Sequence, residues 1–291
     1  ATLDLMGNLP KWSQMSQAGQ LWASSWMNFD NFVERIDDML NDRPIRPMVD
    51  WRPQLKYKVS DITAVIPTLN SPMLSRCIES MRETAPDMRI LVINNGATAI
   101  PEQDGVKVVN VGENIGFARA HKLASSMIET PLVFLLNDDV IARFKGWAEN
   151  LLLMMNSDSV GITGPKLYFP DSRLQFAGGS INWGRPDIGF HINYGGVDGV
   201  ENSSPIECDF ITGAAMLCRK ELYNMPNELL DTFNYEDTWM CLEAKSKGYK
   251  VVYQPASALT HAEGETKKRS QDISDKIETA KSRFINRWYG K

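Results

Sequence analysis

Between Asp61 and Leu136 the chain repeats one pattern, a short unbroken apolar run followed by a helical segment. The runs are Ile62 to Ile66, Ile90 to Ile93, Val106 to Val111 and Leu132 to Leu136. Leu74, Cys77, Ile78 and Met81 mark one face of an intervening helix, and a second helix is expected around Ala118 to Met127. Strands that are apolar on both faces must be covered on both faces, and helices between them supply that cover. The fold class is therefore α/β, a mostly parallel central sheet with helices on both sides. Ser71-Pro72 offers an N-cap and a first-turn proline to the first helix.

Charge and composition narrow the class further. The 291 residues carry 31 basic and 36 acidic side chains, a net −5, with 43% hydrophobic residues, which excludes disordered and fibrous chains. Apolar runs such as Leu132 to Leu136 and Leu151 to Met155 fall far short of the ~20 residues that cross a bilayer. Ala1 to Pro10 lacks the basic start and apolar stretch of a secretory signal, so a cytoplasmic protein is expected, with any membrane contact peripheral. Cys77, Cys208, Cys218 and Cys241 form no Cys-x-x-Cys pair and read as free buried thiols. Two stretches are locally basic, Arg43, Arg46, Arg52, Lys56 and Lys58 in one and Lys267 to Arg269 continuing to Arg287 in the other. They read first as solvated surface, and second as phosphate contacts to nucleic acid.

Three segments are expected. In residues 1–58, Trp22, Trp26, Phe29, Val33, Ile36 and Leu40 line one face of a helix, and Pro44, Pro47 and Pro53 then impose an extended connector. That face suits packing on the main domain, a homo-oligomer contact or a foot on a membrane surface. Residues 59–265 form the α/β domain. From Val160 to Cys218, glycines and aromatics suggest strands and loops over the open side of the sheet. A helix from Glu236 to Lys247 closed by Gly248 and a strand from Lys250 to Tyr253 follow. Residues 266–291 form a C-terminal amphipathic helix with Ile273, Ile277, Ala280, Phe284 and Trp288 on one side.

In such sheets, ligands bind beyond the carboxyl ends of the strands. Those ends read Pro67-Thr68-Leu69-Asn70, Asn94-Asn95-Gly96, Gly112-Glu113-Asn114 and Asn137-Asp138-Asp139. A carboxylate after the most apolar strand can reach a divalent cation, and oxygen ligands suit Mg²⁺ or Mn²⁺ bridging a diphosphate; the same residues also make an ordinary turn. Glu236-Asp237 pairs two acids at a helix start, a pattern that capping and the helix dipole alone can explain. His261 reads as a loop residue, and His121 and His191 as surface or packing residues.

Taken in order, Ile66-Pro67-Thr68-Leu69-Asn70, Val92-Ile93-Asn94-Asn95-Gly96, Asn114-Ile115-Gly116-Phe117-Ala118, Leu136-Asn137-Asp138-Asp139-Val140, Ile211-Thr212-Gly213-Ala214-Ala215 and Glu236-Asp237 resemble family 2 glycosyltransferases. The likeness is to the rhamnosyltransferase-like, single-addition members and covers residues 61–265, and the ending Phe284-Ile285-Asn286-Arg287-Trp288-Tyr289-Gly290 is similar to their tails. The resemblance implies a GT-A fold and inverting transfer of a hexose or deoxyhexose. It also implies a UDP- or dTDP-type nucleotide-sugar donor, a Mn²⁺ or Mg²⁺ ion, and a glycan or lipid-linked acceptor. By the same resemblance, Pro67, Thr68 and Asn70 border the nucleotide, with Asn94 and Asn95 near the base, Asn94 standing where the family usually has Asp. Asn114, Gly116 and Arg119 close over the phosphates, and Asn137, Asp138 and Gly213 line the donor site. Asp139 is the metal carboxylate, His261 a further metal or diphosphate contact, Asp237 the base, and Glu236 its neighbour orienting or binding the acceptor. Trp239 stands where the family often has a second acid. A transferase acting on hydroxylated DNA bases and an inactive nucleotide-sugar-binding scaffold are the competing readings.

Overall fold

The computed structural model describes residues 54–185, 188–262 and 271–290. The apolar face from Trp22 to Leu40, the proline connector up to Pro53 and Lys267 to Arg269 lie outside the described residues.

The first four apolar runs become strands: β1 (Ile62–Thr68), β2 (Arg89–Asn94), β3 (Val106–Asn110) and β4 (Leu132–Leu136). They pair in parallel in the order β3-β2-β1-β4, with Ile62 level with Leu132 and Thr68 level with Asn94. Helix α1 (Leu74–Thr84) connects β1 to β2 and helix α2 (Phe117–Ser125) connects β3 to β4, whereas β2 reaches β3 through residues 95–105 with no helix between them. Every residue of β4 is buried, which is why its sequence shows no polar alternation. Helix α1 begins later than Ser71-Pro72 suggests. The Ser71 hydroxyl accepts the Met73 N–H at 3.1 Å, a turn that precedes the regular helix.

The second half departs from expectation. Instead of lying over the sheet, β6 (Val160–Tyr168) and β11 (Ala215–Arg219) extend it, β11 running antiparallel between β4 and β6. Eight residues of β6 are buried, so this strand needs cover on both faces just as β1 does. Gly164 lets the sheet close there, because a Cβ on it would lie 2.1 Å from Ile211 Cγ2. Beyond β6 come β12 (Lys250–His261) and the edge strand β10 (Ile206–Glu207), giving the order β10-β12-β6-β11-β4-β1-β2-β3. Along this path only β10 and β11 oppose the common direction, so among the described strands the sheet is mostly parallel. The short strands β5 (Val140–Ala142) and β7 (Leu174–Phe176) attach to β12 and β6, and β8 (Gly179–Ile181) pairs with β9 (Gly189–His191) in a separate ribbon.

Helix α3 (Trp147–Met155) buries Trp147, Ala148, Leu151, Leu152 and Met155. Helix α4 (Glu236–Ser246) is followed by Gly248 at φ 87°, the left-handed stop expected of it. Helix α5 (Gln271–Trp288) docks by the predicted stripe: Ala280, Phe284 and Trp288 are buried in a second apolar cluster with Ile188, Leu229 and Trp239. All four cysteines are free and buried, and burial pushes their thiols up and away from reactivity. No described helix is long and apolar enough to cross a membrane.

Candidate active site

The carboxyl ends of β1, β2 and β4 open onto one lip of the sheet, and hydrogen bonds tie their loops together. Thr68 Oγ1 donates to Asp138 Oδ2 at 2.5 Å and accepts the N–H groups of Asn70 and Ser71 at 3.0 and 3.2 Å. Burial first, then the neighbouring Asp139 charge, raises the Asp138 pKa against the stabilising Thr68 bond. Asp138 therefore holds the loop after β1 in place. Asn70 itself is exposed and left-handed at φ 71°, at the rim where a ligand can meet it.

Asn94, expected near the base, ends β2 and turns its side chain into its own loop. It is fully buried, donating from Nδ2 to Thr98 O at 2.8 Å and to Asn110 Oδ1 at 2.7 Å, while its Oδ1 accepts the Gly96 N–H at 2.8 Å. Its amide is spent on shaping the loop. Asn95 reaches across instead, its Nδ2 3.4 Å from Gly116 O, and its Oδ1 is buried with no protein partner. Asn114 caps the next turn by accepting the Gly116 N–H at 3.0 Å. Arg119 is exposed on α2, and its charge acts on Asp231.

At the centre of the lip the turn after β4 meets the end of β12. His261 is a strand residue here, paired with Val140, rather than a loop residue. The sequence hides this because Gln254 to Ser257, with Pro255 among small and polar residues, reads as a strand end; the register shift between Gln254 and Ala258 absorbs it. His261 Nε2 lies 3.1 Å from Asp139 Oδ1 and 3.3 Å from Asn137 Nδ2. Both Asp139 and His261 are less than a tenth exposed. A nitrogen and a carboxylate oxygen at this separation suit adjacent positions on an octahedral ion, where ligands at ~2.1 Å stand about 3.0 Å apart. Among the described residues no third His, Cys, Asp or Glu joins them, so an ion held by this pair would take its remaining ligands from water or substrate.

From this pair the backbone leads to the paired acids. The Asn137 N–H donates to Ala214 O at 2.9 Å, and the Gly213 N–H donates to Asp237 Oδ2 at 2.7 Å. Asp237 Oδ1 accepts from Thr238 N and Oγ1 at 2.6 and 3.1 Å. Asn234 and Tyr235 just before α4 are both left-handed, at φ 76° and 71°, a costly conformation outside glycine that aims the helix start at the lip. Glu236 is not the exposed first-turn acid that dipole complementarity would give. It is 5% exposed, its Oε1 has no partner, and burial pushes its pKa up to about 8. Trp239 packs in the α5 cluster, with ring centroids 5.8 Å from Trp288. That position is core and offers nothing to the lip.

The remaining histidines are packing residues with defined partners. His121 is fully buried, 2.7 Å from the Tyr223 hydroxyl, and burial lowers its pKa to about 3. His191 Nδ1 lies 3.1 Å from Gln175 O. Gln175 was not singled out by the sequence, where it is one polar residue between Leu174 and Phe176; it is buried and contacts His261 twice.

The model for "Glycosyl transferase family 2" matches residues 63–224, more than half of the chain. The sheet with its interposed antiparallel β11 is a GT-A fold. The chain belongs to glycosyltransferase family 2. In structure it is similar to GalNAc-T7, solved with UDP, GalNAc and Mn²⁺, at TM-score 0.62 and 14% identity over 86% of this chain and 52% of that one. It is also similar to the mannosyltransferase PcManGT from Pyrobaculum calidifontis, solved with GDP-Man and Mn²⁺, at TM-score 0.56 and 13% identity over 95% of this chain and 77% of that one. An uncharacterised protein of Sinorhizobium fredii, y4gI, is 24% identical over 221 residues, which are 69% of this chain and 24% of that protein. The chain thus spans about a quarter of that curated relative.

Proposed function

We propose that this chain transfers one hexose or deoxyhexose from a nucleoside-diphosphate sugar to a hydroxyl of a glycan or lipid-linked acceptor, with inversion at the anomeric carbon. The observation that carries the reading is that the Asp139–His261 pair and Asp237 share one lip, joined through Asn137, Ala214 and Gly213. The nucleotide and Mn²⁺ bound by both structural neighbours support it.

Asp139 and His261 would hold the divalent cation, which when bound offsets charge developing on the leaving diphosphate. Thr68, Asn70 and Asn95 would border the nucleotide, with Asn114, Gly116 and Arg119 over its phosphates. Asp237, supplied only with hydrogen-bond donors, would take the acceptor hydroxyl proton as that oxygen attacks the anomeric carbon in line with the departing diphosphate. Glu236, neutral in its buried position at pH 7, would leave Asp237 as the only carboxylate charge at the helix start. A single base and one cation site fit direct displacement, hence inversion.

A thermal-shift panel of UDP, dTDP, GDP and their common sugar conjugates, with and without Mn²⁺, tests the reading. Stabilisation by one nucleotide class that depends on Mn²⁺ is the expected result. No shift with any of them would overturn it.

A further inference from the structure

The Gln175 amide has a fixed orientation. Its Nε2 lies 3.4 Å from the His261 carbonyl oxygen, which can only accept, so the amide nitrogen must face that carbonyl and Oε1 must face the ring. Oε1 is 2.8 Å from His261 Nδ1, and an amide oxygen can only accept, so the proton of the neutral ring sits on Nδ1. The opposite nitrogen, Nε2, then presents a lone pair to Asp139 Oδ1 at 3.1 Å, with the Asn137 amide nitrogen at 3.3 Å as a donor to it. Gln175 is itself held. Its carbonyl oxygen accepts from His191 Nδ1 at 3.1 Å, and the His191 ring meets Phe176 edge-on at 4.9 Å. Strand β7 is only three residues long, so these bonds and its pairing to β6 fix where Gln175 stands.

We propose that Gln175 is a positioning residue that locks His261 in the Nδ1–H tautomer, so that Nε2 stays open to a divalent cation shared with Asp139. The inference rests on the metal reading above and deepens it. A ring left without this acceptor would place its proton on Nε2 and donate it to the Asp139 carboxylate, closing both ligands against a metal. A hydrogen-bonded partner of this kind sets ligand orientation, and its loss typically weakens metal binding ~10–100-fold.

The chain has three histidines, so ¹⁵N-histidine labelling with long-range ¹H–¹⁵N NMR reads each tautomer directly, and His261→Gln identifies the His261 signals by their loss. At pH 8 without metal, His261 in the wild type is expected as the Nδ1–H tautomer. Gln175→Met should move it toward Nε2–H and weaken Mn²⁺ binding, measured with Mn²⁺ alone by electron paramagnetic resonance, by about 10–100-fold. An Nε2–H ring in the wild type, or a Gln175→Met protein with unchanged tautomer and Mn²⁺ affinity, overturns the proposal. If Mn²⁺ fails to broaden the His261 signals of a wild type that shows the Nδ1–H ring, the metal reading falls and takes the purpose of Gln175 with it. That failure is distinct, because the tautomer is read with no metal present.

Discussion

Gly213 donates its backbone N–H to Asp237 Oδ2 at 2.7 Å, and the next residue, Ala214, accepts the N–H of Asn137 at 2.9 Å. Two consecutive backbone groups thus connect the acid on α4 to the turn that carries Asp139. The distance between the proposed base and the proposed cation site is set by main chain, which has fewer ways to move than a side chain.

Gly213→Ala tests that link. A Cβ there would lie 3.3 Å from Asp237 Cβ, tight enough to displace the acid by a few tenths of an ångström. Transfer should fall by roughly tenfold or more, since small misplacements of reacting groups are expensive, while the melting temperature stays within a few degrees. Full activity in the alanine variant would mean that the acid's position does not matter.

Asp237→Asn should lower transfer by about 10²–10⁴-fold and leave nucleotide affinity unchanged. Its amide nitrogen must face one of the N–H donors that now point at a carboxylate, so a stability loss of about 1–3 kcal/mol should accompany it. Equilibrium unfolding and donor titration separate the two effects, and a large loss of donor binding would make this acid structural.

Asp139→Ala should abolish the Mn²⁺-dependent part of nucleotide stabilisation, which reaches about 2.7 kcal/mol at a hundredfold excess over Kd. His261→Ala should remove less of it, because the carboxylate charge remains. An Asp139→Ala protein that still gains stability from nucleotide plus Mn²⁺ would place the cation elsewhere.

Glu236 gives a pH signature. Burial raises its folded pKa to about 8 against an ordinary 4.5, so between those values the folded protein holds a proton that the unfolded chain has released. Stability from this group is complete below about pH 4.5 and declines as pH rises through the folded value. Glu236→Gln, which keeps the shape without the charge, should flatten that decline between pH 5 and 8 in urea unfolding. An unchanged pH slope would show that Glu236 is solvated.

Much of this architecture is legible in the sequence because its strands are apolar on both faces. Ile62, Ile90, Val106 and Leu132 each open the strand, or lie within a residue of its start, that their runs announce. Helix α3 is not legible in the same way, since Trp147 to Met155 is apolar around most of its circumference and shows little period. The pairing of β11 against β4 depends on contacts far apart in sequence that no local pattern encodes. At the site, Asp139 and Asp237 announce themselves as charges after a strand and at a helix start. Gln175 does not, because a lone amide between two apolar residues gains meaning only when β7 brings it to His261. Asn94 shows the converse: a polar residue at a strand end can be consumed by its own loop.

The register shift between Gln254 and Ala258 has a consequence for how this chain can vary in length. Opposite β6, Gln254 is level with Pro165 and Ala258 with Lys166, so β12 spends three residues where its neighbour spends none. Side chains alternate faces residue by residue, so if removing one residue from that excess draws the segment from Ala258 one position out of register with β6 and β5, the faces of its side chains swap. Such a slip would carry the His261 imidazole away from Asp139 while the pairing of Lys250 to Gln254 survives. Length polymorphism is tolerable in most surface connections, but in this short buried excess a single codon would separate a folded protein that answers to Mn²⁺ from one that does not, which a one-residue deletion series read by circular dichroism and Mn²⁺ titration would reveal.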